Sequence, residues 1–464
     1  MMFNSSTRKL VLQGVFQDDF DAFLNTSDNF LISLLPPRKD SRGNKAKLAL
    51  RELLCGMCYS AVHGIGKLSS NLKRATGYKM SDSGIFQHRQ KIPVELLERV
   101  SDQCLEVLSR PESETQSYYD GRLLVAIDGT TFNLRNSEDV AKSFPKGKAR
   151  RSKEAPLSEV AFARMYSSSL VEVGLHNPLA LEVGFKREAE FELSTRVLAK
   201  LPERFMLLCD RAYSCGRFVY EAQQQCDRLG GAYLIRASDC TTKFTVKDVL
   251  EDGSRILSIP VRSQTQKNKF EGSVTVREIR ATITKRSGET VEVKFWTNLL
   301  DPVAHRALEL VELYAARWEH ELYYGELKGE LMDGDLLRSK NLLSAAQEIY
   351  MAVWATALIA RVRGTVNRTL EEQGLQISFQ KVNDKINTIW GFAALVGTSI
   401  DRKMLDTAIN AAVEELREET MPKRRNRSCP RTIRQNVINW PRTKEYKSDY
   451  GPIKCHIRKY EGLA

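Results

Sequence analysis

The chain of 464 residues is too long for one ordinary hydrophobic core, so two to four domains are expected. Hydrophobic residues make up 42% and charged residues 28%, the balance of a soluble globular protein. A formal charge of +12 and a pI near 9.2 favour a polyanionic partner, nucleic acid before membrane.

Three features of the sequence argue against secretion and membrane insertion. The N-terminal segment MMFNSSTRKLVLQGVF lacks the uninterrupted apolar core of a signal peptide. The longest apolar-leaning run, Ile349–Ala360, is shorter than the ~20 residues that span a bilayer. The nine cysteines are odd in number and scattered, as in a cytosolic chain with reduced thiols. A cytoplasmic protein with no membrane association is therefore predicted.

Short helices separated by glycine are predicted within residues 1–115, which we interpret as an N-terminal helical DNA-binding domain. The segment SDSGIFQHRQKI has Ser81 or Asp82 as a candidate N-cap. A helix-turn-helix would use the polar residues of this last helix, Gln87, His88, Arg89 and Lys91. A plain helical bundle fits the same pattern.

An α/β core is predicted from residue 116 onward, because short apolar runs alternate with helical stretches. RLLVAIDGTTF, RFMLLCDRAYS and GAYLIRAS read as strands, and FARMYSSSLVEVGLHNPLALEVG reads as paired strands with a turn at Asn177-Pro178. We assign residues 116–237 and 301–366 to the two parts of this core. The second part reads as helix from about Val303 to Arg363.

Between the two core parts, residues 238–300 are rich in Val, Thr and Ile, with turn signals at Asp252-Gly253 and Ser287-Gly288. This pattern predicts an antiparallel β insertion. Residues 367–464 are predicted to form a C-terminal helical region and a basic tail, since residues 421–464 contain twelve Lys or Arg against three Asp or Glu. The tail and the basic segment 144–156 are either solvated or in contact with DNA phosphates.

Asp128 and Asp210 each follow an apolar run, which predicts that both lie at the carboxyl ends of central strands, where α/β sheets place their sites. Each could instead cap a helix or begin a turn. With Glu321 they form a possible set of three carboxylates, which repel one another unless a divalent metal neutralises them. Oxygen ligands without His or Cys favour Mg²⁺ or Mn²⁺ over zinc, and two such ions are suited to phosphodiester displacement.

The stretch YAARWEHELYYGELKGE gathers polar side chains on one helical stripe. At 100° per residue they fall within an arc of about 60°; they are Tyr314, Arg317, Glu321 and Lys328. The alternative is a solvated face with an Arg317–Glu321 ion pair, which is worth only a few tenths of a kcal/mol. Cys55-x-x-Cys58 with His63 suggests zinc, but both thiols lie in an apolar helical pattern, which favours buried, inert cysteines.

The spacing of these four residues resembles the YREK signature of insertion-sequence-4-like DDE transposases, matched without a gap. AIDGTTF and LLCDRAYS are similar to the blocks around that family's first and second aspartates, and YLIRAS, with Arg236, to the basic strand that follows the second. The N-terminal SDSGIFQHRQKI and the C-terminal NRSCPRTIRQ resemble further segments of the family. The resemblance is specific in the catalytic blocks and weaker at the ends of the chain.

The resemblance implies a ribonuclease-H-like core of the retroviral-integrase type, in which Asp128, Asp210 and Glu321 are catalytic and bind two Mg²⁺ ions, for which Mn²⁺ can substitute. It implies that Tyr314, Arg317, Lys328 and Arg236 bind DNA. The implied activity is cleavage at the terminal inverted repeats of a mobile element and transfer of the 3′-hydroxyl into target DNA, in some members through a hairpin.

The resemblance also implies a homodimer that holds two element ends, in the cytoplasm of a bacterium and associated with its nucleoid. Trp296 is an aromatic candidate for stacking on a flipped base. Two alternatives stay open: a metal nuclease on the same core without strand transfer, and a catalytically silent DNA-binding protein derived from a transposase.

Overall fold

The structure is a computed structural model that describes residues 20, 23–35, 48–149, 158–238, 243–262, 270–284, 288–368, 370, 375–396, 402–422 and 454–457. The α-helices of this part of the chain are α1 (Asp28–Ser33), α2 (Leu50–His63), α3 (Leu68–Thr76), α4 (Asp82–Arg89), α5 (Val94–Cys104), α6 (Glu138–Ser143), α7 (Glu190–Leu198), α8 (Gly216–Leu229), α9 (Ala307–Leu313), α10 (Trp318–Gly325), α11 (Leu342–Arg368), α12 (Phe379–Val396) and α13 (Arg402–Glu418).

The strands of the described residues include several two-residue pieces. They are β1 (Tyr118–Tyr119), β2 (Arg122–Asn133), β3 (Lys148–Ala149), β4 (Ser158–Glu159), β5 (Arg164–Glu172), β6 (Asn177–Val183), β7 (Phe205–Cys209), β8 (Ala232–Ala237), β9 (Thr245–Val249), β10 (Arg255–Arg262), β11 (Phe270–Thr284), β12 (Thr290–Thr297), β13 (Leu375–Gln376), β14 (Met421–Pro422) and β15 (Lys454–Ile457). Most of the predicted basic segment 144–156 and of the tail, with NRSCPRTIRQ, lies outside the described residues.

The chain divides into two compact units. The first comprises Met1–Tyr118, Val125–Pro202 and Glu319–Met421. Its antiparallel strands run in the order β6-β5-β2, and helix α11 is buried in its core. The indole N–H of Trp354 in α11 donates to the Ser101 hydroxyl of α5 over 2.8 Å, so the polar end of this buried ring is satisfied.

Helices α2 to α5 confirm the predicted helical stretch of the first unit. Helices α2 and α3 end at Gly64 and Gly77, whose φ values of +67° and +76° are left-handed and favour glycine. Helix α4 begins after Ser81, whose hydroxyl accepts the Gly84 N–H over 3.2 Å, as the N-cap prediction required. Whether these helices bind DNA stays a prediction.

The paired strands β5 and β6 are confirmed, but the predicted turn at Asn177-Pro178 is wrong. The turn lies at residues 173–176 and ends at His176, which has a φ of +53°. Pro178 belongs to β6, an edge strand, and faces Val171 where the register shifts. An irregular edge position tolerates the missing N–H of proline, and this is why a turn-forming dipeptide lies inside a strand.

The second unit comprises Tyr119–Leu124, Glu203–Trp318 and Pro422–Ala464. Its strands run in the order β7-β8-β12-β11-β10-β9, and β15 pairs with β11. Strands β7 and β8 are parallel, and the chain passes between them through α8; the other pairs are antiparallel. The predicted α/β class with an antiparallel β insertion is therefore confirmed.

The helical segment after the insertion begins at Ala307 and not at Val303. Asp301 accepts the N–H groups of Val303 and Ala304 over 2.8 and 3.1 Å, which forms a turn in place of the first predicted helical residues.

One helix of the described residues, α11, is long and apolar enough to cross a membrane by length and composition. However, 83% of its most apolar window is buried inside the protein, as in the core helix of a globular domain.

Arg277 is a fully buried cation at the base of the β insertion. Its guanidinium donates to the Ser254 hydroxyl over 2.8 Å, to the His305 carbonyl over 2.7 Å and to the Asp252 carboxylate over 2.5 Å. These bonds connect the β9–β10 turn and strand β11 to the loop that precedes α9, within the second unit. A buried guanidinium is tolerated because its N–H groups find acceptors.

We predict that Arg277→Met lowers the free energy of unfolding by about 3–5 kcal/mol, because Asp252 and the carbonyls lose their cation. Urea denaturation followed by circular dichroism measures the change. Arg228→Met, on the exposed face of α8, is the matched control and should stay within about 0.5 kcal/mol of the parent. Equal unfolding midpoints for the two variants would show that Arg277 contributes no more than a surface arginine.

Candidate active site

Asp128 lies in the middle of strand β2, so the prediction that it ends a strand is wrong. The strand continues to Asn133 because residues 125–133 pair with β5, where Asp128 faces Ser169. The Asp128 Oδ1 atom accepts the Gly129 N–H over 2.8 Å. The side chain is half-buried, in contrast to the fully buried apolar residues that precede it.

Helix α10, which carries Glu321, is anchored to the strand pair at this position. The Tyr324 hydroxyl donates to the Asp128 carbonyl over 2.8 Å and lies 3.0 Å from the Ser169 hydroxyl. His320 Nε2 lies 3.2 Å from the Ser169 carbonyl. Glu321 therefore belongs to a helical turn whose neighbours on both sides contact the Asp128 strand pair.

The polar stripe does not lie on one regular α-helix, which corrects the angular argument made from the sequence. Tyr314–Arg317 is a 3₁₀ turn, Trp318–Gly325 is α-helical, and Glu326–Leu331 is a π-helical turn. A constant 100° per residue therefore does not apply between Tyr314 and Lys328. Such π turns are uncommon and are frequent at functional sites.

Lys328 in the π turn contacts strand β2 two residues beyond Asp128. Its Nζ donates to the Thr130 hydroxyl over 2.6 Å and to the Thr131 carbonyl over 2.7 Å, and it lies 4.7 Å from the centre of the Phe132 ring. Burial lowers the pKa of Lys328 to about 8, although Asp335 opposes the shift. The first unit thus places a lysine with an easily removed proton near Asp128.

In the second unit, Asp210 directly follows strand β7, as predicted. Its Oδ1 accepts the Ala212 N–H over 2.6 Å, which caps the short 3₁₀ turn Arg211–Tyr213. The capping role that the sequence allowed is thus present, and it fixes the carboxylate at the strand end.

Tyr314 is the centre of a charged group in the second unit. Its hydroxyl donates to the Cys209 carbonyl over 3.1 Å, and its ring packs 4.7 Å from that of Phe295. Burial raises the pKa of Tyr314, as does the charge of Asp210, while the charges of Arg317 and Arg236 lower it. These opposing effects show that both arginines and Asp210 lie near the phenol.

Three residues singled out in the sequence have other contacts. The Trp296 side chain is only 3% exposed and donates to Glu278 over 3.4 Å, so it offers no open face for a base. Arg89 of α4 donates to Gln347 over 2.9 Å, within the core of its unit. Cys58 is buried, which raises the pKa of its thiol, and this agrees with an inert cysteine.

Sequence reasoning missed the residues that surround Asp128. A Cβ atom at Gly129 would lie 2.2 Å from Glu190 Cγ, so the side chain of Glu190 covers this glycine. Tyr324 and His320 also contact the strand pair of Asp128 and Ser169, and neither belongs to a motif that was recognised in the sequence. Their spacing of four residues on the helix of Glu321 was the available signal.

Within the residues that the structure describes, no three His, Cys, Asp or Glu side chains form a ready group for a metal ion. Asp128 and Glu321 belong to one unit and Asp210 to the other. By chemistry, all three supply hard carboxylate oxygens, the donors that Mg²⁺ and Mn²⁺ prefer.

The known proteins that are similar to this chain are all described as transposases. A family model described as a transposase DDE domain matches residues 119–358, more than half of the chain. The transposase InsG for insertion sequence element IS4 of Escherichia coli (strain K12) is 22% identical over 370 residues, which cover 78% of each chain. A cryo-EM structure of the piggyBac transposase synaptic complex with hairpin DNA is similar over 87% of this chain and 84% of its own, at 10% identity and a TM-score of 0.40.

The lowered pKa of Lys328 predicts how its contribution to stability changes with pH. The unfolded state holds the lysine proton up to a higher pH than the folded state, so the parent gains stability relative to Lys328→Met as the pH rises from about 8 toward the ordinary lysine pKa. Urea denaturation of both proteins at pH 7 and pH 9.5 measures the difference. A gap that is the same at both pH values would contradict the lowered pKa.

Proposed function

The chain belongs to the DDE transposase family, and from this premise we propose that it cuts the two ends of its own insertion sequence and joins their 3′-hydroxyls to target DNA. Its activity as an insertion-sequence DNA transposase follows from the family and from its relative. The family match also confirms the predicted fold class, a ribonuclease-H-like α/β core with an antiparallel β insertion.

The family generally uses divalent metal ions, and we propose two Mg²⁺ ions bound by Asp128, Asp210 and Glu321. When bound, such ions activate the attacking oxygen and stabilise the leaving oxygen of a phosphodiester. The support in the first unit is the anchoring of the Glu321 helix on the Asp128 strand pair. In the second unit it is the rigid cap that holds Asp210 at the end of β7.

The contact between Tyr324 and the Asp128 carbonyl is the observation that carries this proposal. It joins the helix of the third carboxylate to the strand of the first, although the two are almost two hundred residues apart in sequence. Catalytic groups must keep their relative positions to a fraction of an ångström. A hydrogen bond to the backbone of Asp128 itself is a direct means of doing so.

Four basic or phenolic side chains are proposed to bind the phosphates of the element end: Tyr314, Arg317, Arg236 and Lys328. Arg317 and Arg236 lie near the Tyr314 phenol and can bind phosphate oxygens through two N–H groups each. Lys328 would act as a point charge. The net charge of +12 would add a nonspecific attraction to the DNA backbone.

The remaining assignments are proposals from the family resemblance. Residues 1–115 would bind the terminal inverted repeats, the basic tail within residues 367–464 would contact DNA phosphates, and the enzyme would act as a homodimer that holds both ends. The place of action would be the nucleoid of a bacterial cytoplasm, where the element and its targets lie.

Glu321→Gln should lower end cleavage at least about 1,000-fold while leaving end binding within about twofold, because the amide keeps the shape and loses the charge. The protein is incubated with its own element ends and Mg²⁺, and products are resolved on a denaturing gel. Asp128→Asn and Asp210→Asn should behave alike. Full cleavage by Glu321→Gln would remove this residue from the site.

Asp333→Asn is the matched control for these variants, because Asp333 is exposed and Asn tolerates its φ of +55°. It should cleave as the parent does. Parent cleavage that persists in excess chelator would contradict the metal proposal. Nicks without joined products would indicate a nuclease without strand transfer, and binding without any cleavage would indicate a silent DNA-binding protein.

Lys328→Ala should weaken end processing about tenfold or more and change the melting temperature by only a few degrees, because the proposed phosphate contact is lost, whereas each bond from Nζ to Thr130 and Thr131 is worth only about 1 kcal/mol. Cleavage rates and thermal melts measure the two effects. A protein that loses solubility but shows no change in DNA processing would contradict this role.

A further inference from the structure

His176, at the end of the β5–β6 turn, lies between two glutamates of the helical segment that contains Glu321. Its Nε2 atom is 2.7 Å from Glu319 Oε2, and its Nδ1 atom is 2.8 Å from Glu326 Oε2. All of these residues belong to the first unit, and His176 is only 8% exposed. One imidazole thus bridges two carboxylates of the same helical segment.

The geometry requires a proton on each ring nitrogen. Ionised carboxylates only accept hydrogen bonds, so an imidazole that bonds to one at each nitrogen must donate twice, which only the imidazolium can do. Burial by itself lowers the pKa of His176, and Arg363 also lowers it, but the charges and hydrogen bonds of Glu326 and Glu319 outweigh both and raise it. Arg363 and His176 in turn lower the pKa of Glu326 to about 2, although burial opposes the shift.

Arg363 completes the cluster around His176. It donates to Glu326 Oε1 over 2.8 Å and to the carbonyl of Leu175, the residue before His176. With the imidazolium, the cluster holds two cations and two anions, and its charges balance. With a neutral imidazole, the two carboxylates keep only Arg363 as a counter-charge, and Glu319, whose side chain is 33% exposed, loses its cationic partner.

The two glutamates flank Glu321 along the chain. Within α10, Glu319 lies about 160° from Glu321 around the helix axis. Glu319 is in α10, and Glu326 is the first residue of the π turn. His176 therefore connects both sides of the α–π junction to the β5–β6 turn, and its contact with Glu319 is on the side of α10 opposite Glu321.

We propose that His176 is a positioning residue for DNA cleavage: its contacts with Glu319 and Glu326 fix the rotation of the helix that presents Glu321. The inference rests on the proposed catalytic role of Glu321. The Tyr324 and His320 contacts hold one flank of the helix on the Asp128 strand pair, and His176 holds another. Two separate attachments prevent rotation about the helix axis, which one would allow.

His176→Asn is the variant of choice, because Asn is tolerated at a φ of +53° and its amide can replace Nδ1–H toward Glu326 while losing the bond to Glu319 and the charge. At pH 7 we expect end cleavage to fall about tenfold or more, with end binding within about twofold. Adding Glu319→Gln removes the uncompensated charge but does not restore the missing contact, so cleavage by the double variant should stay about tenfold or more below the parent.

The pH dependence separates positioning from a general packing defect. Below the raised pKa of His176 the parent has the imidazolium, and above it the ring is neutral and the bridge is lost. The ratio of parent to His176→Asn cleavage rates should therefore be largest at low pH and approach one as the pH rises. Taking the ratio cancels titrations that both proteins share.

The control is His305→Asn, which loses one contact with Tyr119 in the second unit and should cleave as the parent does at every pH. Thermal melts establish that each variant is folded. If His176→Asn does not fold, the double variant with Glu319→Gln decides: parent-like cleavage by the folded double variant would overturn the proposal, because the contact would then be dispensable. A ratio independent of pH would overturn it as well.

Glu321→Gln, measured in the same assays, distinguishes a failure of the His176 proposal from a failure of the proposed catalytic role of Glu321. Its inactivity together with parent-like cleavage by His176→Asn would overturn the role of His176 alone. Full activity of Glu321→Gln would overturn the catalytic role of Glu321, and with it the inference about His176.

Discussion

The position of one helix against one strand pair is the constraint on which the site depends. Helix α10 contacts β2 and β5 through hydrogen bonds of Tyr324 and His320 to the Asp128 carbonyl and to Ser169. Inside a protein such bonds are stronger than in water, and leaving one of these buried groups unpaired is costly. The helix therefore has few alternative placements, and Glu321 is fixed with it.

Clusters of ion pairs that include buried side chains are a second feature of the two units. Arg277 in one unit and the cluster around His176 in the other each hold cations and anions together away from water. Such groups add little net stability compared with apolar packing, but they allow only one arrangement of their partners. Both clusters lie beside the helical segment from Ala307 to Leu331, which carries four of the proposed site residues.

The helical segment itself departs from regular geometry where function is proposed. Its 3₁₀ turn contains Tyr314 and Arg317, and its π turn contains Lys328. Each change in helical type rotates the side chains that follow, so it redirects them without a change in sequence spacing. The burial of Lys328 then lowers the pKa of its amine, which makes this cation sensitive to pH in a way that an exposed lysine is not.

Local patterns in the sequence were sufficient for most elements of the fold. The N-cap at Ser81, the left-handed glycines after α2 and α3, and the strand that ends before Asp210 all follow from the residues at those positions. The prediction that Asp128 ends a strand was wrong. Polar residues after an apolar run normally end a strand, but here β5 supplies pairing partners as far as Asn133. No local pattern contains that information.

By itself, the sequence determined the α/β class, the β insertion, the excess of positive charge and, through its resemblance to known motifs, the family. The tertiary structure decided that Tyr324 contacts the Asp128 carbonyl, that Trp296 is buried, and that His176 bridges Glu319 and Glu326. The reason is physical: helix and strand periodicity act over a few residues, whereas these contacts join segments separated by some twenty to two hundred positions. Only packing of the folded chain brings such segments together.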